Sequence, residues 1–255
     1  MCIRDSPPSH PELLDWLASE AVRGGWKLKR LHKLIMMSST YRQSSTHPSH
    51  DEYAGRDYAN RLIWRFNRRR LDAEALRDAI LTASGRLNKK MGGPSFFPRM
   101  SPEALEGLSR KATAWGSSPP GERSRRSIYM MSKRSRLLPL MTTFDFCDTT
   151  LSCGQRDVSL VPTQALALLN NHFVHEQSRA MAERVAAEAG KDQDNQVRTA
   201  WQITLGRSPT EVELMAAAAH LKSQAMHFKE QEQENLPLTS LCHVLLNTNE
   251  FIFID

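Results

Sequence analysis

Phe144-Asp145-Phe146-Cys147-Asp148-Thr149-Thr150 places two carboxylates three residues apart, with Cys153 and Arg156-Asp157 close behind. Upstream run Arg123, Arg125, Arg126, Lys133, Arg134 and Arg136, with no acidic residue between Arg123 and Arg136. Such carboxylates could hold a divalent cation or share acid–base work. The plainer reading makes Asp145 and Asp148 ion-pair partners of Arg126, Arg134 or Arg156 that order the surrounding loops. A buried arginine–carboxylate pair needs matched geometry to offset its desolvation. Asp145 and Asp148 are thus the candidate catalytic residues, and Arg126, Arg134, Arg156 and Gln164 the candidate ligand-binding side chains.

The remaining chemistry-bearing patterns are weaker. Arg61, Arg65, Arg68, Arg69 and Arg70 are interleaved with Trp64 and Phe66, a pattern that could grip phosphate and stack bases. The competing reading pairs Arg69 or Arg70 with Asp72 or Glu74 and puts both aromatics in the core; no nucleic-acid recognition signature accompanies the cluster. His172-x-x-His175 has the spacing of two metal ligands on one helical turn but no evident further ligand, and His47-x-x-His50 sits in a polar loop. The four cysteines, Cys2, Cys147, Cys153 and Cys242, include no C-x-x-C pair. Cys147 and Cys153 could pair in an exported protein; scattered cysteines are otherwise buried or reduced thiols. Phosphate-loop, dinucleotide, serine-hydrolase and zinc-protease fingerprints are absent.

Helical periodicity positions these residues. Pro11 opens a helix with Leu13, Leu14, Leu17 and Ala21 on one stripe, ended by Gly24-Gly25; a second carries Leu28, Leu31 and Ile35, so the two form a hairpin. A third is capped by Asp72 and stops at Gly85. Residues 91–125 are rich in Gly, Pro and Ser and form a long loop, with a short helix near Pro102–Arg110. Arg126–Lys133 is the one strand candidate. From Pro162 onward the chain is helical: Gln164–Leu169, Val174–Ala189, Val197–Leu205, a helix behind the capping box Thr210-Glu-Val-Glu213, and a last one holding Leu241, Val244, Leu245 and Leu246. The expected fold is mainly α: an irregular multi-helix domain with a long Gly/Pro-rich loop and at most a small β element near 126–134.

The 255 residues carry 34 basic and 28 acidic side chains, a net charge of +6. The excess is uneven: 26 basic and 15 acidic residues up to residue 150, then 8 and 13. A basic half joined to an acidic half implies an anionic partner or internal complementarity. No apolar run approaches bilayer-spanning length, and Met1–Ser6 lacks the apolar core of a secretory signal. Residues 1–8 are read as a non-native or disordered prefix. Residues 9–255 are read as one domain: helical at 9–90, loop-rich at 91–160 and helical at 161–255.

Several segments together carry a resemblance. They are His10-Pro-Glu-Leu-Leu-Asp15, Ser39-Thr40-Tyr41-Arg42-Gln43-Ser44, Asn60-Arg61-Leu62-x-Trp64-Arg65, Arg69-Arg70-Leu71-x-x-Glu74 and Gly92-Gly93-Pro94. To these are added Arg125-Arg126-Ser127-Ile128-Tyr129, Thr143-Phe144-Asp145, Pro162-Thr163-Gln164-Ala165-Leu166, Leu169-Asn170-Asn171 and Leu246-Asn247-x-Asn249-Glu250-Phe251. In this order they resemble the planctomycete-specific C-terminal domain of unknown function of large proteins with a cytochrome-c-like domain upstream. The resemblance implies an exported or periplasmic multidomain protein, with any haem c in an upstream domain and no cofactor in this chain, which lacks C-x-x-C-H. It carries over no catalytic residue. The implied role is an accessory module docking against sister domains or an anionic or polysaccharide ligand through the Arg126/Asp145/Asp148/Arg156 region. An enzyme domain, hydrolytic or redox-coupled, is the alternative. Nucleic-acid binding, resting on charge alone, comes third.

Overall fold

The computed structural model describes residues 8–101, 103–105, 115–134, 136–154, 156–228 and 235–254. Their contacts divide the chain into two compact units, Met1–Arg69 with Ile254–Asp255, and Arg70–Phe253. Twelve α-helices and one two-stranded ribbon, Arg69–Arg70 (β1) with Phe253–Ile254 (β2), are present among the described residues. The fold is mainly α, as the periodicity implies.

The smaller unit holds α1 (Pro11–Arg23), α2 (Leu28–Met36) and α3 (His50–Arg56). Pro11 suits the first helical turn, where its missing N–H costs nothing. The chain reverses at Gly25 and Trp26, at φ of +62° and +60°. Glu20 clasps the hairpin by accepting from Arg23 and Arg30, each at 2.9 Å. Leu17, Ala21, Leu31 and Ile35 are half-buried along the seam, whereas Leu13, Leu14 and Leu28 are exposed. The expected inward stripe is therefore narrower than drawn, because two paired helices cover only their facing positions. Asp57 and Asn60 order the following loop: Asp57 accepts from the Arg61 and Leu62 amides at 3.0 and 2.7 Å, and Asn60 Oδ1 from the Trp64 amide at 2.9 Å.

The larger unit contains α4 (Ala73–Ala83), α5 (Pro120–Arg123), α6 (Pro139–Thr143), α7 (Pro162–Asn170), α8 (His172–Ala189), α9 (Gln193–Leu205), α10 (Glu211–His227), α11 (Leu236–Leu246) and α12 (Asn249–Ile252). The α8 helix is the hub, packed on α4, α7, α9 and most extensively α11. Its Val174, Met181, Ala182 and Val185 are fully buried and follow helical spacing. They meet Leu76 and Ile80 of α4, Leu168 of α7, Trp201 of α9, Leu221 of α10, and Leu241 and Leu245 of α11 in one core. Arg184 of α8 donates to the Thr82 and Ala83 carbonyls at 3.1 Å, closing the C-terminus of α4 where Gly85 turns at φ +72°.

Several local expectations are corrected. Arg126–Lys133 is not a strand: Ser127–Tyr129 is a 3-10 turn, with single bridges from Phe96 to Met130 and from Lys133 to Arg136. The chain turns because Ser127 is pulled inward, its amide and hydroxyl donating to Asp78 at 2.8 and 2.7 Å. Trp64 and Phe66 are half-buried rather than core residues, Trp64 lying within a ring cluster of His47, His50 and Tyr53. Asp72 occupies the N-cap position of α4 without a side-chain capping bond. The short helix expected near Pro102–Arg110 falls mostly outside the described residues, which there are Glu103–Leu105 in a 3-10 turn.

Candidate functional site

The segment that opens α4 and the loop between α6 and α7 have complementary charge patterns. The first presents Arg70 and then Glu74; the second presents Asp145 and then Arg156. Folding pairs them in register, Arg70 Nη2 to Asp145 Oδ2 at 2.8 Å and Arg156 Nη1 and Nη2 to Glu74 Oε2 and Oε1 at 2.6 and 2.8 Å. The second pair is bidentate, the strong geometry for a guanidinium. Exchanging the partners would set Arg70 against Arg156 and Glu74 against Asp145, so the two bridges fix the loop's position as well as its attachment.

Asp145 is the most heavily bonded of these groups. Its oxygens also accept the Ser159 amide at 2.8 Å and the Ser159 hydroxyl at 2.8 and 2.9 Å. Gln164, buried at the start of α7, donates Nε2 to Ser159 Oγ and to the Thr143 carbonyl, both at 3.1 Å. The Arg70 side chain is 3% exposed and lies over the Phe144 ring at 5.1 Å. Its Nε and Nη1 have no hydrogen-bond acceptor among the described residues. The Asp145 backbone sits at φ +58°, a left-handed conformation that Asp tolerates better than most residues. Burial pushes the Asp145 carboxyl up, but the Ser159 donors and then Arg70 outweigh it and hold the group below its ordinary value. Glu74 behaves alike: burial raises it and Arg156 brings it lower than usual. Both are ionised hydrogen-bond acceptors at neutral pH, poorly suited to donate a proton.

Arginines also brace the long loop before this site. Arg125 is fully buried; it donates Nη1 to the Pro94 carbonyl at 2.9 Å and Nη2 to the Gly92 carbonyl, above the Tyr129 ring at 4.2 Å. Arg77 on α4 donates to the Arg123 and Arg125 carbonyls at 2.5 and 3.1 Å. Burial brings its guanidinium down to about 10, opposed by Asp78. Arg123 donates to the Ser118 carbonyl, Arg136 to that of Ala104, and Lys133 lies over Phe97 and Trp115. Most of the basic run thus turns inward, onto backbone and rings.

A family model described as PSD1, protein of unknown function (DUF1553), matches residues 2–221. The chain belongs to this family. No curated protein and no solved structure matches it. The PSD1 match covers both bridges, Ser159 and Gln164.

Of the residues singled out in the sequence, the PSD1 fold brings Asp145, Arg156 and Gln164 into this one region. It does not bring Asp148, Arg126 or Arg134 into the network. Asp148 is exposed, and its Oδ1 takes the Thr150 amide and hydroxyl at 2.8 and 2.6 Å. Arg126 and Arg134 are exposed. Asp145 therefore pairs with Arg70, not with Arg126, Arg134 or Arg156. Arg70 pairs with Asp145 and Glu74 with Arg156, instead of Arg70 with its sequence neighbours. Ser159, Arg77 and the buried role of Arg125 went unrecognised. The mirrored order of charges in Arg70/Glu74 and Asp145/Arg156 was the available signal. His175 is exposed and stacks on His243 at 4.3 Å, while His172 is also exposed. Among the described residues no group of three or more His, Cys, Asp or Glu is placed to hold a metal ion.

Proposed function

We propose that this PSD1 chain is an accessory interaction module of a longer exported protein, docking against a sister domain through the segment that the double bridge holds. The observation that carries this reading is the exposure of Val158, Leu160, Val161, Leu166 and Leu169, from 43 to 70%, along a stretch pinned by Ser159 and Gln164. Leu166 and Leu169 lie one turn apart on α7 and share a face. A segment held this firmly while presenting large apolar side chains fits a surface meant to be covered. Covering a single leucine completely contributes about 1.5–3 kcal/mol, so a few suffice for specific docking.

The resemblance to planctomycete proteins with a cytochrome-c-like domain supports the exported setting and names the sister domain's class. The polar residues first considered for docking, Asp145 and Arg156, act behind this surface as its supports. Exposed Arg126 and Arg134 remain the side chains suited to an anionic rim. The enzyme alternative is less favoured by a carboxylate already committed to Arg70 and Ser159.

The test pairs Leu160→Asp with Leu166→Asp. The double variant should fold as the parent does, because both positions are exposed, yet bind the remainder of the longer protein at least about ten-fold more weakly. Unchanged binding would remove the docking role from this segment.

A further inference from the structure

Cys147 and Cys153 lie in the loop between the two bridges, and their Sγ atoms are 3.0 Å apart in hydrogen-bond contact. Cys147 is half-buried and Cys153 exposed. Arg156 uses all three guanidinium nitrogens here: Nη1 and Nη2 on Glu74, and Nε on Cys147 Sγ at 3.2 Å. The cation is thus fixed against one sulfur of the pair. Asp145, two residues before Cys147, and Arg156, three residues after Cys153, are both anchored to the segment that opens α4. The ends of the thiol-bearing loop are held, so little chain entropy remains to be lost on joining its sulfurs.

From this placement we infer that Cys147 and Cys153 form a redox-active dithiol that exchanges with external disulfides, Cys147 being the attacking sulfur. Cys147 Sγ has a fixed cation beside it, Arg156 Nε at 3.2 Å. The Cys147 thiolate attacks one sulfur of a small disulfide R–S–S–R. That S–S bond breaks, a mixed disulfide forms at Cys147, and R–S− leaves and takes a proton. Cys153 then loses its proton and attacks Cys147 Sγ, expelling the second R–S−. The two protein sulfurs give up two electrons and two protons, and the external disulfide becomes two thiols. The Cys153 thiol is held above its ordinary value, first by its bond to Cys147, which suits a resolving rather than an initiating role. The remaining described cysteine, Cys242, is fully buried in the core and pushed up to about 12 by burial, which keeps it out of exchange. This inference stands independently of the docking surface.

The experiment equilibrates the full chain with glutathione disulfide and then with dithiothreitol, alkylating and mapping each cysteine by mass spectrometry. The expected result is an internal Cys147–Cys153 crosslink in a monomer, lighter by two hydrogens and fully reversed by the reductant. In Cys153→Ser, Cys147 should form a mixed disulfide at least about ten-fold faster than Cys153 does in Cys147→Ser. Folding of both variants is checked by circular dichroism, and the crosslink in the parent chain needs neither. Retention of both thiols, persistent mixed disulfides on each, or crosslinks only between chains would overturn the dithiol. Equal rates in the two variants would overturn the assignment of Cys147.

Discussion

Asp145 and Asp148 look interchangeable in the sequence, three residues apart in one polar loop, yet their surroundings give them different work. Asp145 neutralises a guanidinium that is 3% exposed, and removing its charge leaves that cation buried without its partner. Breaking one side of a buried pair typically costs about 3 kcal/mol or more. Asp145→Asn should therefore lower the urea midpoint of the chain substantially, while Asp148→Asn, acting on an exposed turn, should leave it where it was. Two equal midpoints would mean that the bridge does not secure the loop. Acid gives a second test at this scale. Asp145, Glu74 and Glu213 are all held below their ordinary values; for Glu213 the Arg207 hydrogen bonds are the first cause. The unfolded chain binds protons first, so their stabilisation is complete above the ordinary carboxylate range near about pH 4 and is lost as the pH falls through the lower folded values. Thermal midpoints should drop as the pH falls below that range, with a smaller drop in Glu74→Gln.

Helices are where sequence and structure agree most closely. The α1–α2 hairpin, α4, and α7 to α11 form where apolar spacing implies helices, with α8 and α9 beginning two and four residues earlier than expected, at His172 and Gln193. At α10 the expected capping box is complete: Thr210 Oγ1 accepts the Glu213 amide at 3.3 Å and Glu213 Oε2 accepts the Thr210 amide at 2.7 Å. Thr210→Ala should cost about 1 kcal/mol in a denaturant titration. No loss would show that Arg207, which also grips Glu213 and Glu250, holds that turn alone. The short helices α3, α5 and α6 were not legible, since four to seven residues are too few to show a period. The site was half legible. The positions of Asp145, Arg156 and Gln164 drew attention, but their partners did not, because Arg70 and Asp145 are 75 residues apart and Glu74 and Arg156 are 82 apart. Periodicity reports which face of an element is buried, not which distant charge it meets.

Part of the positive charge of the larger unit is turned inward. Arg70, Arg77 and Arg125 are buried, and Arg123, Lys133, Arg136 and Arg156 turn onto carbonyls, rings or carboxylates. These side chains act as internal architecture, tying loops to the helical core. No helix among the described residues is long and apolar enough to cross a membrane. The distinctive outward feature of the larger unit is then the apolar stretch from Val158 to Leu169, mounted on a loop whose register two ion pairs determine. The proposed docking role can be read directly by hydroxyl-radical footprinting of the PSD1 chain alone and within the longer protein that the proposal implies. The expected result is a several-fold drop in labelling at Leu160, Leu166 and Leu169 in the longer protein, with exposed Val212 and Met215 on α10 labelled equally in both. Equal labelling of the three leucines in the two samples would contradict the account.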